Sequence, residues 1–120
     1  MAQLTLNSAF DATDVMQYAM MLCSATHPDS EHAAEASKKY IRLGASPRAT
    51  VALMHLVRAY AFLRGRDYVL PDDIAAIFRS AISHRLMLKQ EAKLNHITAN
   101  DVLGEILRTT EVPYKGKRDT

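Results

Sequence analysis

The stretch that decides the fold runs from Leu43 to Ile74 and reads LGASPRATVALMHLVRAYAFLRGRDYVLPDDI. Ser46 is a good N-cap, since its hydroxyl oxygen can accept a hydrogen bond from a backbone N–H group of a first helical turn. Pro47 follows at the first helical position, where its missing N–H costs nothing. Gly65 can end a helix in the left-handed conformation. The sequence therefore predicts a long helix that begins at Pro47 and ends just before Gly65.

Apolar side chains recur along this helix at a spacing of about 3.6 residues and cover a wide arc of its surface. An arc that wide indicates packing against neighbours on several sides. Leu56 lies in the middle of the arc and is expected to be buried. The arc consists of Ala49, Leu53, Leu56, Val57, Tyr60, Ala61 and Leu63.

The remaining stripe of the helix carries Arg48, His55 and Arg58, which fall within roughly 80° of one another at about 100° per residue. Arg48 lies at the second helical position, where the positive end of the helix dipole disfavours a cation by about 0.3–1 kcal/mol. A helix N-terminus attracts anions, and an arginine leaning back over it would add a two-pronged phosphate contact. An arginine that pairs with an acid or lies on the surface is the alternative, which physical chemistry alone favours.

Three runs in this stretch resemble the lid domain of the MoxR family of AAA+ ATPases: GASPRA at 44–49, RGRDYV at 64–69 and the Pro-Asp-Asp-Ile helix start at 71–74. The similarity continues more loosely through 84–86 and the last helix, and it covers most of residues 15–112. RGRDYV alone is shared with neighbouring clades such as magnesium-chelatase-like ATPases. The resemblance, together with the helix pattern, implies an all-α fold, a compact four-helix AAA+ lid bundle with room for a minor short β-ribbon.

The resemblance also implies a function for the whole protein. Such a protein binds ATP with Mg²⁺, hydrolyses the ATP, assembles into rings, and remodels or matures partner proteins, with von Willebrand factor A domain proteins as the expected clients. The lid closes over nucleotide bound by the ATPase core of the same chain and passes the motion to neighbouring subunits. Arg48 matches the family's sensor-2 arginine, which reaches the nucleotide phosphates. Ser46, Pro47 and His55 are further candidates for residues that face the nucleotide.

The helices outside the central stretch have their own start and stop signals. Ser8 or Asp11 can cap a first helix, which should end near Thr26 because Pro28 disfavours helical geometry at the residue before it. A third helix begins at Pro71. Thr98 caps a last helix, with a weak capping box. The predicted domain spans residues 8–112, with a linker or cloning remnant at 1–7 and a flexible basic tail at 113–120.

The connections between these helices are predicted to be short and mostly polar. Segment 27–39 reads as a loop with one helical turn near 31–37, and 90–95 reads as a polar connection. Residues 40–43, 68–70 and 84–88 read as short extended pieces. Two or three of these pieces could pair into a small ribbon.

Length and composition fit one domain without strong charge. The chain has 120 residues, 48% of them hydrophobic, and a formal net charge of +2, which is too mild to indicate nucleic acid or an anionic membrane as a partner. The single cysteine, Cys23, excludes an intramolecular disulfide. No apolar run reaches the roughly 20 residues that a membrane span needs, and the N-terminus lacks a signal-peptide pattern. We therefore expect a cytoplasmic protein.

Residue patterns for catalysis are missing from this sequence. The phosphate loop of a nucleotide hydrolase reads G-x-x-x-x-G-K-[ST], and nothing here matches it. The chain therefore looks like the C-terminal piece of a longer ATPase and is not expected to be catalytic by itself. Cys23 lies on a predicted core face, where a thiol is inert. Asp72 and Asp73 read as helix-start acids rather than as catalytic groups.

Two groups of polar residues admit other interpretations. His27, Asp29, Glu31 and His32 could form a metal cluster, but their spacing matches no helical ligand pair and a solvated loop is favoured. A helical nucleic-acid-binding module is the alternative function. It would use Arg58, Arg64, Arg66 and the tail, although interspersed acids count against it. A stand-alone helical adaptor is a further alternative.

Overall fold

A computed structural model of the chain describes residues 11–113, which form a helical domain with one small ribbon. The four longest helices are the four that the sequence predicts, so the all-α bundle with a minor ribbon is confirmed. In chain order the elements are α1 (Ala12–Ala25), α2 (Glu35–Tyr40), β1 (Ile41–Leu43), α3 (Pro47–Leu63), α4 (Pro71–Ile82), a 3₁₀ turn (Ser83–Arg85), β2 (Met87–Leu88), α5 (Gln90–Leu94) and α6 (Ala99–Thr109).

Two short helices differ from the sequence-based expectation. The turn expected near 31–37 lies later, as α2, and the polar connection at 90–95 contains α5. The apolar anchor of α5 is Ala92, which is fully buried among exposed polar neighbours. A single buried alanine gives no detectable periodicity, because a helical pattern needs several apolar positions to be recognised.

Helix α3 is the longest of the described helices and packs against α4 and α1. Its limits are those that the sequence predicts. The Ser46 hydroxyl oxygen accepts a hydrogen bond from the Ala49 N–H at 3.3 Å, and Gly65 adopts a φ of 81° just beyond the last turn. Asp11 caps α1, and Thr98 caps α6 with a full capping box rather than a weak one. The other candidate cap of α1, Ser8, lies outside the described residues, as do residues 1–7 and 114–120 of the predicted termini.

The prediction that Leu56 is buried is wrong. Leu56 is 45% exposed, whereas Leu53 and Val57 are at most 1% exposed. The buried face of α3 is a single arc that includes these two residues and Ala49, and Leu56 lies about 100° from Val57 around the helix. The wide apolar arc in the sequence therefore overstated the number of neighbours of α3.

A matched pair of substitutions on α3 checks this assignment. Leu53→Ala should destabilise the 120-residue chain by about 2–5 kcal/mol, because it leaves a cavity in the core. Leu56→Ala should cost less than about 1 kcal/mol, because its side chain is half in solvent. Urea unfolding curves of both variants and the wild type give the comparison. Equal losses from the two substitutions would show that the exposed side of α3 is wrongly assigned.

Strands β1 and β2 form an antiparallel two-stranded ribbon with an irregular register. Ile41 lies opposite Leu88 and Leu43 opposite Met87, so one strand carries an extra residue. Ile41 is fully buried and anchors the ribbon to the core. The third expected piece, 68–70, joins no sheet in the described chain. Its residues instead lead into α4.

The connection between α3 and α4 is held by a buried ion pair that the sequence did not predict. Arg66 Nη1 and Nη2 donate to the two carboxylate oxygens of Asp73 at 2.5 and 2.7 Å, and one of those oxygens also accepts from the Leu70 N–H at 2.7 Å. The Asp73 side chain is 3% exposed and that of Arg66 17%. Burial by itself raises the pKa of Asp73, but these hydrogen bonds outweigh burial and hold that pKa below its ordinary value.

No helix among residues 11–113 is long and apolar enough to cross a membrane.

Candidate functional site

The N-terminus of α3 places an exposed cation at the positive end of the helix dipole. Ser46, Pro47 and Arg48 are all exposed. The Ser46 cap occupies the Ala49 N–H, and Pro47 contributes no N–H. Arg48 follows at the second helical position, as predicted. An anion approaching this end of the helix would therefore meet the positive end of the helix dipole and a guanidinium together.

The first turn of α3 differs from those of the other α-helices in the described chain. Each of the other five has at least one acidic residue in its first turn, where a carboxylate complements the helix dipole. Helix α3 has none there and carries Arg48 instead. The acidic residues of the other five are Asp14, Glu35, Asp72 with Asp73, Glu91 and Asp101.

Within residues 11–113, no carboxylate lies within ion-pair distance of Arg48. The structure therefore provides no acid partner for Arg48 in this part of the chain, and its charge is directed to solvent. His55 is exposed two turns further along the same side of α3, in line with the predicted stripe. Arg58, on that stripe, lines an open groove of about 700 Å³ between α3 and the methionine-rich side of α1.

The segment before α3 is held by two residues from the end of α1. The backbone N–H of Ala45 donates to Thr26 Oγ1 at 2.9 Å, and the backbone carbonyl of Ala45 lies 2.5 Å from His27 Nε2. Thr26 and Ala45 are almost fully buried, and His27 is half-buried. The prediction of a solvated loop is therefore wrong for its first residue, His27. No sequence pattern signals this contact, since its partners are 18 and 19 residues apart.

The candidate metal ligands of the loop, His27, Asp29, Glu31 and His32, do not form a metal site in the fold. No group of three or more His, Cys, Asp and Glu side chains that could hold a metal ion occurs among the described residues. His32 instead lies beside Glu31 in solvent. Cys23 is buried as predicted, and burial raises the pKa of its thiol, which disfavours the reactive thiolate.

The arginines named for the alternative nucleic-acid surface do not stand together in the fold, and one of them, Arg66, is withdrawn from the surface. Arg66 is engaged with Asp73 in the buried ion pair. The Arg64 guanidinium lies over the ring of Tyr60 at 5.5 Å from the centroid. Arg58 then remains on the stripe with Arg48, separated by about 15 Å of helix. That arrangement does not form the contiguous basic patch that phosphate-backbone binding requires.

The chain is similar to proteins of one family over most of its length. A family model described as an AAA lid domain matches residues 33–106. YeaC of Bacillus subtilis, an uncharacterized protein, is 45% identical over 75 residues, which are 62% of this chain and 23% of YeaC. Chaperone MoxR1 of Mycobacterium tuberculosis is 30% identical over 99 residues, 82% of this chain and 26% of MoxR1. The chain thus spans about a quarter of the length of these curated relatives.

The fold agrees with the sequence similarity. A crystal structure of a candidate ATPase from Cytophaga hutchinsonii superposes with a TM-score of 0.78 at 34% identity, covering 88% of this chain and 32% of that protein. The family match includes the GASPRA run, all of α3 and the start of α4. On the family match, the MoxR relatives and the shared fold, this chain belongs to the AAA lid domains and is a lid of the MoxR family of AAA+ ATPases.

Proposed function

We propose that this chain is the lid of a longer ATPase, in which it closes over ATP bound by the ATPase core and contributes Arg48 as the sensor-2 residue. The N-terminus of α3 is the observation that carries the proposal. It has an acid-free first turn and an exposed arginine with no carboxylate within ion-pair distance in the described chain. A cation at that position opposes the helix dipole unless an anion accompanies it.

The chemistry of Arg48 follows from its geometry and charge. A guanidinium presents a planar fork of N–H donors that can contact two phosphate oxygens at once. As negative charge shifts onto the leaving and transferred groups during hydrolysis, a positioned arginine stabilises the transition state more than the ground state. Ser46 and Pro47 begin the helix that carries Arg48, and His55 lies on the same side within reach of the same interface.

The parts that hold Mg²⁺ and the rest of the nucleotide belong to the core in this proposal. No phosphate loop occurs in the sequence of 120 residues. The core would supply the backbone cradle, the lysine and the Mg²⁺ ligands that hydrolysis needs. The lid residues would orient the phosphates, close the site and exclude water.

The exposed apolar residues of α3 support a covering partner on the side that bears Arg48. Val51 is 57% exposed and Phe62 74% exposed, and both lie within about 60° of Arg48 around the helix. Apolar side chains grouped on one face favour contact with another surface. We assign that surface to the ATPase core of the same protein.

The proposal extends to the assembled protein through its relatives. Members of this family are expected to form rings, so the lid would pass the closing motion to a neighbouring subunit. One relative is named a chaperone. We therefore infer that ATP hydrolysis drives remodelling or maturation of client proteins, with von Willebrand factor A domain proteins as the first candidates, in the cytoplasm.

The assignment of ATP binding and hydrolysis to the core, and not to the lid alone, can be tested directly. The purified 120-residue chain should fold with a cooperative thermal transition, because its helices bury a continuous apolar core. It should neither hydrolyse ATP nor bind it tightly, whereas the longer protein should do both. Circular dichroism melts, calorimetric ATP titration and a phosphate-release assay on both proteins measure this. Magnesium-dependent turnover by the 120-residue chain, with contaminating ATPases excluded, would contradict the proposal.

A further inference from the structure

The strongest unassigned feature of the domain is the contact between the end of α1 and the segment before α3. Thr26 and His27 bind both polar groups of the Ala45 backbone, the N–H through Thr26 Oγ1 and the carbonyl through His27 Nε2. We call this pair of residues the Thr26–His27 clamp. Ala45 directly precedes the helix cap Ser46 and lies three residues before Arg48. The clamp therefore fixes the backbone from which α3 begins.

Thr26 is in close contact with both Gly44 and Ala45. The Thr26 hydroxyl accepts from Ala45 and donates to the Cys23 carbonyl at 2.6 Å, so its hydrogen position is determined. A methyl group at Gly44 would lie 2.7 Å from the Thr26 carbonyl oxygen, closer than atoms can approach. Glycine is therefore required there for the backbone to pass against Thr26. These contacts hold Gly44 and Ala45 against the end of α1.

The segment that follows α1 completes the same structure. The Ala25 carbonyl accepts from the hydroxyl of Ser37 at 2.6 Å and from the Ala34 N–H at 3.3 Å. Ser37 is fully buried on α2. The end of loop 27–34 is thus bonded to Ala25, the last residue of α1. This closure holds the end of α1, and with it the clamp, in one arrangement.

The tautomer of His27 follows from its partner. A backbone carbonyl can only accept, so Nε2 must carry the hydrogen in this bond. A neutral His27 is therefore protonated at Nε2 and not at Nδ1. Gln is the substitution that best places an N–H donor near this position, whereas Ala removes the donor.

We propose that Thr26 and His27 are positioning residues that set the direction in which α3 presents Arg48 to the nucleotide. This inference rests on the proposed function of Arg48. A guanidinium that must meet phosphate oxygens tolerates little displacement, since a misplacement of about 1 Å at a catalytic group can cost up to about 10²-fold in rate. The two hydrogen bonds act on the backbone three residues away from Arg48, so their loss would reorient the helix start without removing the arginine.

The test is a double-mutant cycle in the longer ATPase, measured as steady-state kcat and KM for ATP. His27→Ala should lower kcat about 10-fold, and His27→Gln should restore most of that loss. In an Arg48→Ala background, His27→Ala should add less than about a 2-fold loss, because a residue that acts through Arg48 has nothing left to position. His32→Ala is the matched control from the same loop, and it should retain the wild-type kcat.

The possible failures of this test are distinguishable. If Arg48→Ala lowers hydrolysis but His27→Ala does not, the clamp proposal is wrong and the sensor-2 proposal stands. If Arg48→Ala has no effect, the proposed function fails and the clamp proposal with it. If His27→Ala lowers kcat equally in both backgrounds, His27 acts independently of Arg48 and the clamp proposal is again wrong.

A measurement on the wild type covers the case in which His27→Ala does not fold. Nitrogen-15 NMR of the histidine rings in the 120-residue chain, at a pH where His27 is neutral, should show hydrogen on Nε2 of His27. Exposed His32, which lies beside Glu31 in solvent, provides the comparison. Hydrogen on Nδ1 of His27 would contradict the hydrogen bond to Ala45 and overturn the clamp proposal.

Discussion

Replacing Arg48 with alanine should lower ATP hydrolysis by the longer ATPase about 10³-fold, the scale found for arginines that stabilise charge in phosphoryl transfer. The reason is that Arg48 is the exposed cation at the α3 N-terminus, with no carboxylate at ion-pair distance in the described chain. Its guanidinium would contact the terminal phosphate as charge shifts, and the alanine side chain cannot make that contact. The measurement is steady-state phosphate release at saturating ATP.

Arg48→Lys should recover little of this activity. An ammonium group carries the same charge but lacks the planar fork that contacts two oxygens. Arg108→Ala is the matched control, because Arg108 is an exposed arginine on α6 that pairs with Glu105 on the surface. That variant loses one positive charge far from α3 along the chain and should hydrolyse ATP as the wild type does.

The fold should be insensitive to the same substitution. In the 120-residue chain, Arg48→Ala should change the free energy of unfolding by no more than about 1 kcal/mol in either direction, since a cation is removed from the positive end of the helix dipole and alanine favours the helix. Normal hydrolysis by Arg48→Ala would refute the sensor-2 assignment. Unfolding of the 120-residue variant would instead show that Arg48 is a structural residue.

The parts of the fold that the sequence predicts are those governed by local chemistry. Ser46 and Pro47 at the start of α3 and Gly65 at its end act through the conformations and hydrogen bonds of one turn. Such signals lie within four or five consecutive residues, so they can be read without knowledge of the neighbours. Arg48 is visible for the same reason, because its conflict with the helix dipole is a property of its own position.

The features that the sequence does not predict depend on contacts across the chain. The clamp joins His27 to Ala45, and these two residues are separated by a loop, a short helix and strand β1. Leu56 illustrates a second limit. Periodicity identifies an apolar arc, but which part of the arc faces the core depends on where α1 and α4 pack. The assignment of Leu56 therefore failed although the helix itself was correctly predicted.

The ion pair between Arg66 and Asp73 includes one contact that the local sequence indicates and one that only the folded chain shows. Asp73 is visible in the sequence as an acid in the first turn of α4, and it does accept from the Leu70 N–H as such an acid would. Its stronger contact, with Arg66, spans the turn between α3 and α4. A helix-start acid with 3% exposure is unusual, and that burial is a property only of the folded domain.

Replacing Asp73 with alanine should destabilise the 120-residue chain by about 3 kcal/mol or more, because the substitution breaks a buried ion pair. The loss should lie toward the lower end of the range for such pairs, because the Arg66 side chain keeps partial contact with solvent. The substitution leaves the Arg66 guanidinium without its carboxylate and the Leu70 N–H without its acceptor. Asp72→Ala is the matched control. Asp72 is the exposed neighbour in the same first turn, and its loss should cost at most about 1 kcal/mol.

The pH dependence of stability gives an independent check on Asp73. Its pKa in the folded chain is lowered, because the hydrogen bonds from Arg66 and Leu70 outweigh the opposing effect of burial. The unfolded chain therefore binds a proton at this carboxyl at a higher pH than the folded chain does. The stabilisation by ionised Asp73 is fully present above the ordinary aspartate pKa of about 3.9 and is lost as the pH falls from there through the lower folded value.

Urea unfolding of the wild type and of Asp73→Asn across this pH range measures that contribution. The wild type should be the more stable of the two at pH 7, and its advantage should shrink as the pH falls below about 4. Asp73→Asn cannot ionise at this position, so its own stability should lack this component of the acid sensitivity. An advantage that stays constant through that range would mean that the Asp73 carboxylate contributes no charge-dependent stability, and that Arg66 is held in place by packing alone.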